Sequence, residues 1–70
     1  VKFHDFQNTV MSEYSSWRKI DSTMRLGQVC FNLLTVFNPK IANEIRATPL
    51  DPFYKDYVSQ DTWEYLQERW

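Results

Sequence analysis

Seventy residues make one domain, and a chain this short buries only about 60% of the surface its unfolded form exposes. Eight Lys/Arg against nine Asp/Glu give a net charge of −1, which is not the footprint of a nucleic-acid binder. One His and one Cys build no zinc motif, and a single glycine builds no glycine-rich phosphate loop.

The first predicted element is a helix over residues 2–19. Phe3, Phe6, Val10, Tyr14 and Trp17 recur at helical spacing and form one apolar stripe. A break follows at Ile20-Asp21, where Asp21 or Ser22 suits the N-cap of a second helix over residues 22–37. In that segment Met24, Leu26, Val29, Cys30, Phe31, Leu33, Leu34, Val36 and Phe37 cover most of the circumference. Only Arg25, Gln28, Asn32 and Thr35 leave a narrow polar stripe. A helix apolar almost all round is a central one. Gly27 within it costs about 1 kcal/mol relative to Ala, so a close backbone approach by a neighbouring element is expected there.

Asn38-Pro39 is the expected opening of a third, short helix over residues 39–47, with Ile41, Ala42 and Ile45 on its buried face. Pro49 ends it. Asp51-Pro52 repeats that grammar ahead of one helical turn over residues 53–57. Asp61 with Glu64 three residues on reads as a capping box opening a last helix to Trp70, with Trp63, Leu66 and Trp70 inward. The expected fold is all-α: a small orthogonal helical bundle in one domain, residues 1–70, its central apolar helix wrapped by the N-terminal helix and two to three short C-terminal ones.

Catalytic chemistry has little to stand on. His4 lies near the N-terminus with no sequence-evident partner, and reads as a surface or partly buried histidine. Cys30 sits in an apolar run, where a free Cys behaves as a small buried hydrophobe. Asp51, Asp56 and Asp61 are spaced by five and lack the ligand rhythm of a calcium loop. No cofactor, metal or enzymatic activity is expected, and little room for a pocket of the usual ~300 Å³ or more. One cysteine forms no internal disulfide. No signal peptide is visible, and no apolar stretch nears the ~20 residues of a membrane span. A cytoplasmic protein without membrane contact is expected. The absence of Met ahead of Val1 is compatible with a processed or excised piece.

Two readings compete for the stretch RATPLDPFYKD, Arg46 to Asp56. In the first it is a structural clasp. Arg25 pairs with Asp51 or Asp56, Gln28 and Asn32 bond free backbone groups of the turn, and Phe53 and Tyr54 pack on the central helix beside Gly27. In the second, Phe53, Tyr54 and Asp56 are exposed and meet a partner. Aromatic and Arg side chains are the usual interface anchors, which makes Trp17, Arg18, Tyr54, Tyr65 and Trp70 the candidate contact residues. Charge is uneven, residues 1–46 being net basic and 47–70 net acidic, which permits a basic partner surface or self-association.

Met24 to Asp56 resembles a group of uncharacterised small proteins of bacteriophages and prophages. They share R-x-G-Q-x-x-F-N, matched by Arg25, Gly27, Gln28, Phe31 and Asn32. A Pro-led short helix follows, matched from Pro39 to Ile45-Arg46. The last element is T-x-L-D-P-F-Y-x-D, matched by Thr48, Leu50, Asp51, Pro52, Phe53, Tyr54 and Asp56. The group usually carries Gly-Thr where this chain has Ala47-Thr48. If that Gly is a left-handed C-cap, Ala47 is mildly strained or the turn differs. The resemblance implies a phage or prophage origin and a host-cytoplasm setting, and no activity. The function expected is non-enzymatic protein binding, an accessory role that modulates a host or phage protein. One alternative is nucleic-acid binding through an Arg18/Lys19/Arg25 patch, disfavoured by charge. Another is a structural or assembly role through contacts between copies.

Overall fold

The computed structural model describes all residues, 1–70. Four helices follow one another: α1 (Phe3–Ile20), α2 (Leu26–Phe37), α3 (Pro39–Ile45) and α4 (Gln60–Arg69), with no strand. The fold is therefore an all-α small helical bundle. Its Cα radius of gyration is 11.2 Å, where a compact chain of this length has about 11 Å.

The apolar stripe of α1 turns inward at its N-terminal half. Phe6 and Val10 are fully buried, Phe3 and Tyr14 half-buried, and Trp17 is 45% exposed. From α2, Val29, Cys30, Phe31 and Leu34 enter the core; from α3, Ile41, Ala42 and Ile45. Val58 and Leu66 complete one cluster of 11 buried residues. α2 packs on both α1 and α3, as its apolar circumference requires, although Val36 and Phe37 at its far end stay exposed.

Two helix starts differ from the sequence reading. α2 begins at Leu26 rather than Ser22, because Asp21 is engaged elsewhere. Its backbone N–H closes α1 on the Trp17 carbonyl. Its carboxylate accepts from the Thr23 amide at 2.9 Å and the Thr23 hydroxyl at 2.6 Å. A side chain folded back on its own loop in this way competes with helix initiation. α4 is opened by Ser59, whose Oγ accepts from the Thr62 amide at 3.2 Å, not by an Asp61–Glu64 box. Asp61 lies in the first turn instead, where a carboxylate complements the helix dipole.

α3 keeps its expected cap: Asn38 Oδ1 accepts from the Ile41 amide at 3.3 Å and Pro39 takes the first helical position. It ends at Ile45, two residues short of the expected span. The Phe53–Tyr57 segment is a turn and bend rather than a helical turn. Trp70 closes the molecule on itself. Its ring stacks on Phe6 at 4.7 Å between centroids, and its Nε1 donates to the Val1 carbonyl at 2.7 Å.

Candidate functional site

The segment between α3 and α4 is ordered by its own side chains. Arg46 leaves α3 with extended ψ, and Ala47 follows at φ 59°, in the left-handed region. A non-glycine residue in that region is strained. Asp51 then holds the loop at two points, Oδ2 accepting from the Ala47 amide and Oδ1 from the Phe53 amide, each at 2.9 Å. The Thr48 hydroxyl donates to the Ile45 carbonyl at 2.6 Å. Pro52 is buried, and its carbonyl accepts from the Lys55 amide at 2.9 Å, a turn over residues 52–55.

That turn rests on α2 through backbone. The Gly27 amide donates to the Lys55 carbonyl at 3.1 Å, so a first-turn amide that no side chain caps is satisfied by the turn. A β-carbon on Gly27 would collide with the Pro52 and Lys55 carbonyl oxygens. The close approach expected at Gly27 is therefore present. Phe53 meets Phe31 of α2 edge-to-face at 6.0 Å.

The side-chain ties of the expected clasp are not made, and Tyr54, expected to pack on the central helix beside Gly27, is 83% exposed and meets Phe53 instead. No ion pair joins Arg25 to Asp51 or Asp56; the chain's one salt bridge is Arg69–Glu44 at 3.8 Å. Asp51 spends both oxygens on local amides, and Asp56 is exposed. Gln28 and Asn32 make no side-chain hydrogen bond to the turn. Arg25 places its guanidinium carbon 6.0 Å from the Tyr54 ring centroid, and its buried Nε finds no acceptor in the chain.

Beside this contact lies an open groove of about 680 Å³, more room than the chain's length suggested. Phe31 and Phe53 supply its aromatic lining, and Tyr54 stands at its side, 83% exposed and 4.9 Å from Phe53. Asn32, Thr35, Arg46, Ala47, Thr48, Asp51 and Lys55 complete it. Arg46 lies over the Phe31 ring at 5.2 Å, and Lys55 Nζ donates to the Pro49 carbonyl at 3.3 Å. A second depression of about 320 Å³ is lined by Glu13, Trp17, Met24, Val29, Asn32 and Leu33.

The candidate contact residues divide. Tyr54 and Trp17 each border a groove. Arg18 is exposed on α1, where its Nη1 donates to the Tyr14 hydroxyl at 3.0 Å. Tyr65 and Trp70 are half-buried and already occupied. The Tyr65 hydroxyl donates to Glu44 Oε1 at 3.3 Å, and Trp70 closes the termini. In the basic patch, Arg18 and Lys19 are exposed while Arg25 is half-buried against Tyr54. Asp21 adjoins that patch. Its bonds from the Thr23 hydroxyl and amide, with Arg18 adding, hold its carboxyl below the usual range.

Sequence reasoning missed Thr62, which is buried. Its hydroxyl donates to the Leu50 carbonyl at 2.9 Å, tying α4 to the loop that walls the groove. The Ser-x-x-Thr spacing at 59–62 was the available signal. Cys30 is fully buried, as expected, and burial pushes its thiol up to about 12, so it stays protonated at neutral pH. No three His, Cys, Asp or Glu side chains gather as a metal site. No helix is long and apolar enough to cross a membrane. Comparison with protein-family models, with curated proteins and with solved structures gives no match.

Proposed function

We propose that this chain is a non-enzymatic protein-binding module that meets its partner at the groove between α2 and the 46–57 loop. The observation that carries this reading is Tyr54: a large aromatic held 83% exposed against Phe53, at the side of an open groove. Tyr is among the residues that dominate interface energetics, and anchors of this kind work where they can be desolvated beside a pocket. The polar groups of the groove support binding over catalysis. The Thr35 and Thr48 hydroxyls donate to the Asn32 and Ile45 carbonyls, and both Asp51 oxygens accept amides. What remains to meet a partner is aromatic surface, the Asn32 amide and two cations.

The motif resemblance supplies the setting of the proposal: a small phage or prophage accessory protein, in a bacterial cytoplasm, modulating a host or phage protein. The test is affinity capture of the tagged chain and its Tyr54→Ala variant from nuclease-treated bacterial lysate, with quantitative mass spectrometry. A partner at this groove is lost from the variant by tenfold or more, corresponding to about 1.4 kcal/mol or more of binding free energy. Equal recovery of every captured protein by both forms would sink the proposal.

A further inference from the structure

We infer that the groove recognises an acidic segment of a protein partner, an apolar or aromatic side chain against Phe53 and Tyr54 and carboxylates on Arg46 and Lys55. This rests on the reading of the groove as the contact face. Three observations carry it. First, the groove is net positive in a chain of net charge −1: Arg46 and Lys55 line it against Asp51 alone. Second, Asp51 is already engaged by the Ala47 and Phe53 amides, whereas neither cation has a carboxylate. Arg46 Nη2 reaches only Asn43 Oδ1, at 3.4 Å, and Lys55 Nζ only the Pro49 carbonyl, at 3.3 Å. Long bonds to neutral acceptors are readily exchanged for charge-assisted ones, and a guanidinium can take a carboxylate through two parallel bonds. Third, Tyr54 stands 83% exposed against Phe53 in the same lining as Arg46 and Lys55, so charge and aromatic surface are offered together.

A second copy of this chain is a poorer occupant. Its acidic C-terminal helix turns Leu66 into its own core and lays Trp63 and Trp70 against it, so that helix has no free apolar side chain to place in a groove. A nucleic acid needs more cations than two to release enough counterions.

The test uses the full chain and two synthetic ten-residue peptides. In one a tryptophan is flanked by glutamates, and in the other by glutamines. Binding is followed by fluorescence anisotropy and by amide NMR. The glutamate peptide is expected to bind at least tenfold more tightly, to shift the Ala47, Thr48, Phe53 and Lys55 amides, and to lose that advantage in an R46Q/K55Q double variant. Both positions lie at the groove surface, and the unperturbed amide spectrum of the variant verifies its fold. Equal binding of the two peptides, shifts confined to another face, or no binding at about 1 mM, the weak limit of specific recognition, overturns the inference. So does preferential binding of an oligonucleotide of equal charge, or formation of a dimer that excludes the peptide. The two levels separate in the capture assay. A partner lost from Tyr54→Ala but retained by R46Q/K55Q refutes the acidic chemistry and leaves the contact face standing. One retained by both refutes the contact face.

Discussion

At Gly27 the α2 backbone and the 52–55 turn meet through the space a β-carbon would fill, the Lys55 oxygen lying 2.6 Å and the Pro52 carbonyl carbon 2.9 Å from that point. Both obstacles are backbone, so no side chain can swing aside. Gly27→Ala recovers about 1 kcal/mol of helix propensity, but overpacking costs about 1–3 kcal/mol and the bond to Lys55 stretches with it. Ala47 is the converse case, an L-residue at φ 59°, where the left-handed region costs about 1–2 kcal/mol. The two glycine exchanges therefore have opposite signs. In urea unfolding, Gly27→Ala is expected to lose about 2 kcal/mol and Ala47→Gly to gain about 0.5–1 kcal/mol. Gly27 was legible in the sequence as the only glycine, inside an apolar helix, whereas nothing in the local composition marks the left-handed turn at Ala47. The Arg25 pairing was not legible either, because Asp51 had two amides nearer in the chain than any guanidinium.

At the scale of elements, apolar periodicity marked α1 and α2, because a helix that must bury one face writes that face at 3.6-residue spacing, while α3 was read from the Asn38-Pro39 opening and α4 from cap residues near Asp61. Their starts were harder. Asp21, Ser22, Ser59 and Asp61 are all competent caps, and the choice among them rests on local side-chain bonds together with contacts distant in sequence. α2 starts where Lys55 offers a carbonyl to the Gly27 amide, and α4 where Thr62 reaches Leu50. The Thr62 hydroxyl, which accepts from Ser59 at 3.0 Å as it donates to Leu50, joins a cap to a tertiary bond. Thr62→Val keeps the shape and removes both bonds, leaving the half-buried Leu50 carbonyl without this donor. The expected loss is about 1–2 kcal/mol in equilibrium unfolding, with α4 loosened from the loop. A loss under about 0.5 kcal/mol, the level of a surface change, would show that the bond is not needed.

For the whole molecule, the sequence spoke clearly about the core and poorly about the surface. Of the five aromatic and Arg residues singled out as contacts, Tyr65 and Trp70 are tied within the fold, because Tyr65 on α4 faces Glu44 and Trp70 just beyond it faces the N-terminal helix. The groove itself was hidden. Its walls come from α2, the end of α3 and the loop beyond, and only folding brings Phe31, Arg46 and Tyr54 to one place. A binding surface of this sort serves recognition only if the loop is part of the cooperative structure. Otherwise its ordering opposes every association. Native-state hydrogen exchange tests this most directly, through the Gly27 amide, whose acceptor is the Lys55 carbonyl. The account predicts that this amide exchanges as slowly as core amides of α2 such as Leu34, by global unfolding. Exchange at the rate of a freely opening loop, with the core still protected, would contradict a loop held on α2 by backbone and with it a preformed groove.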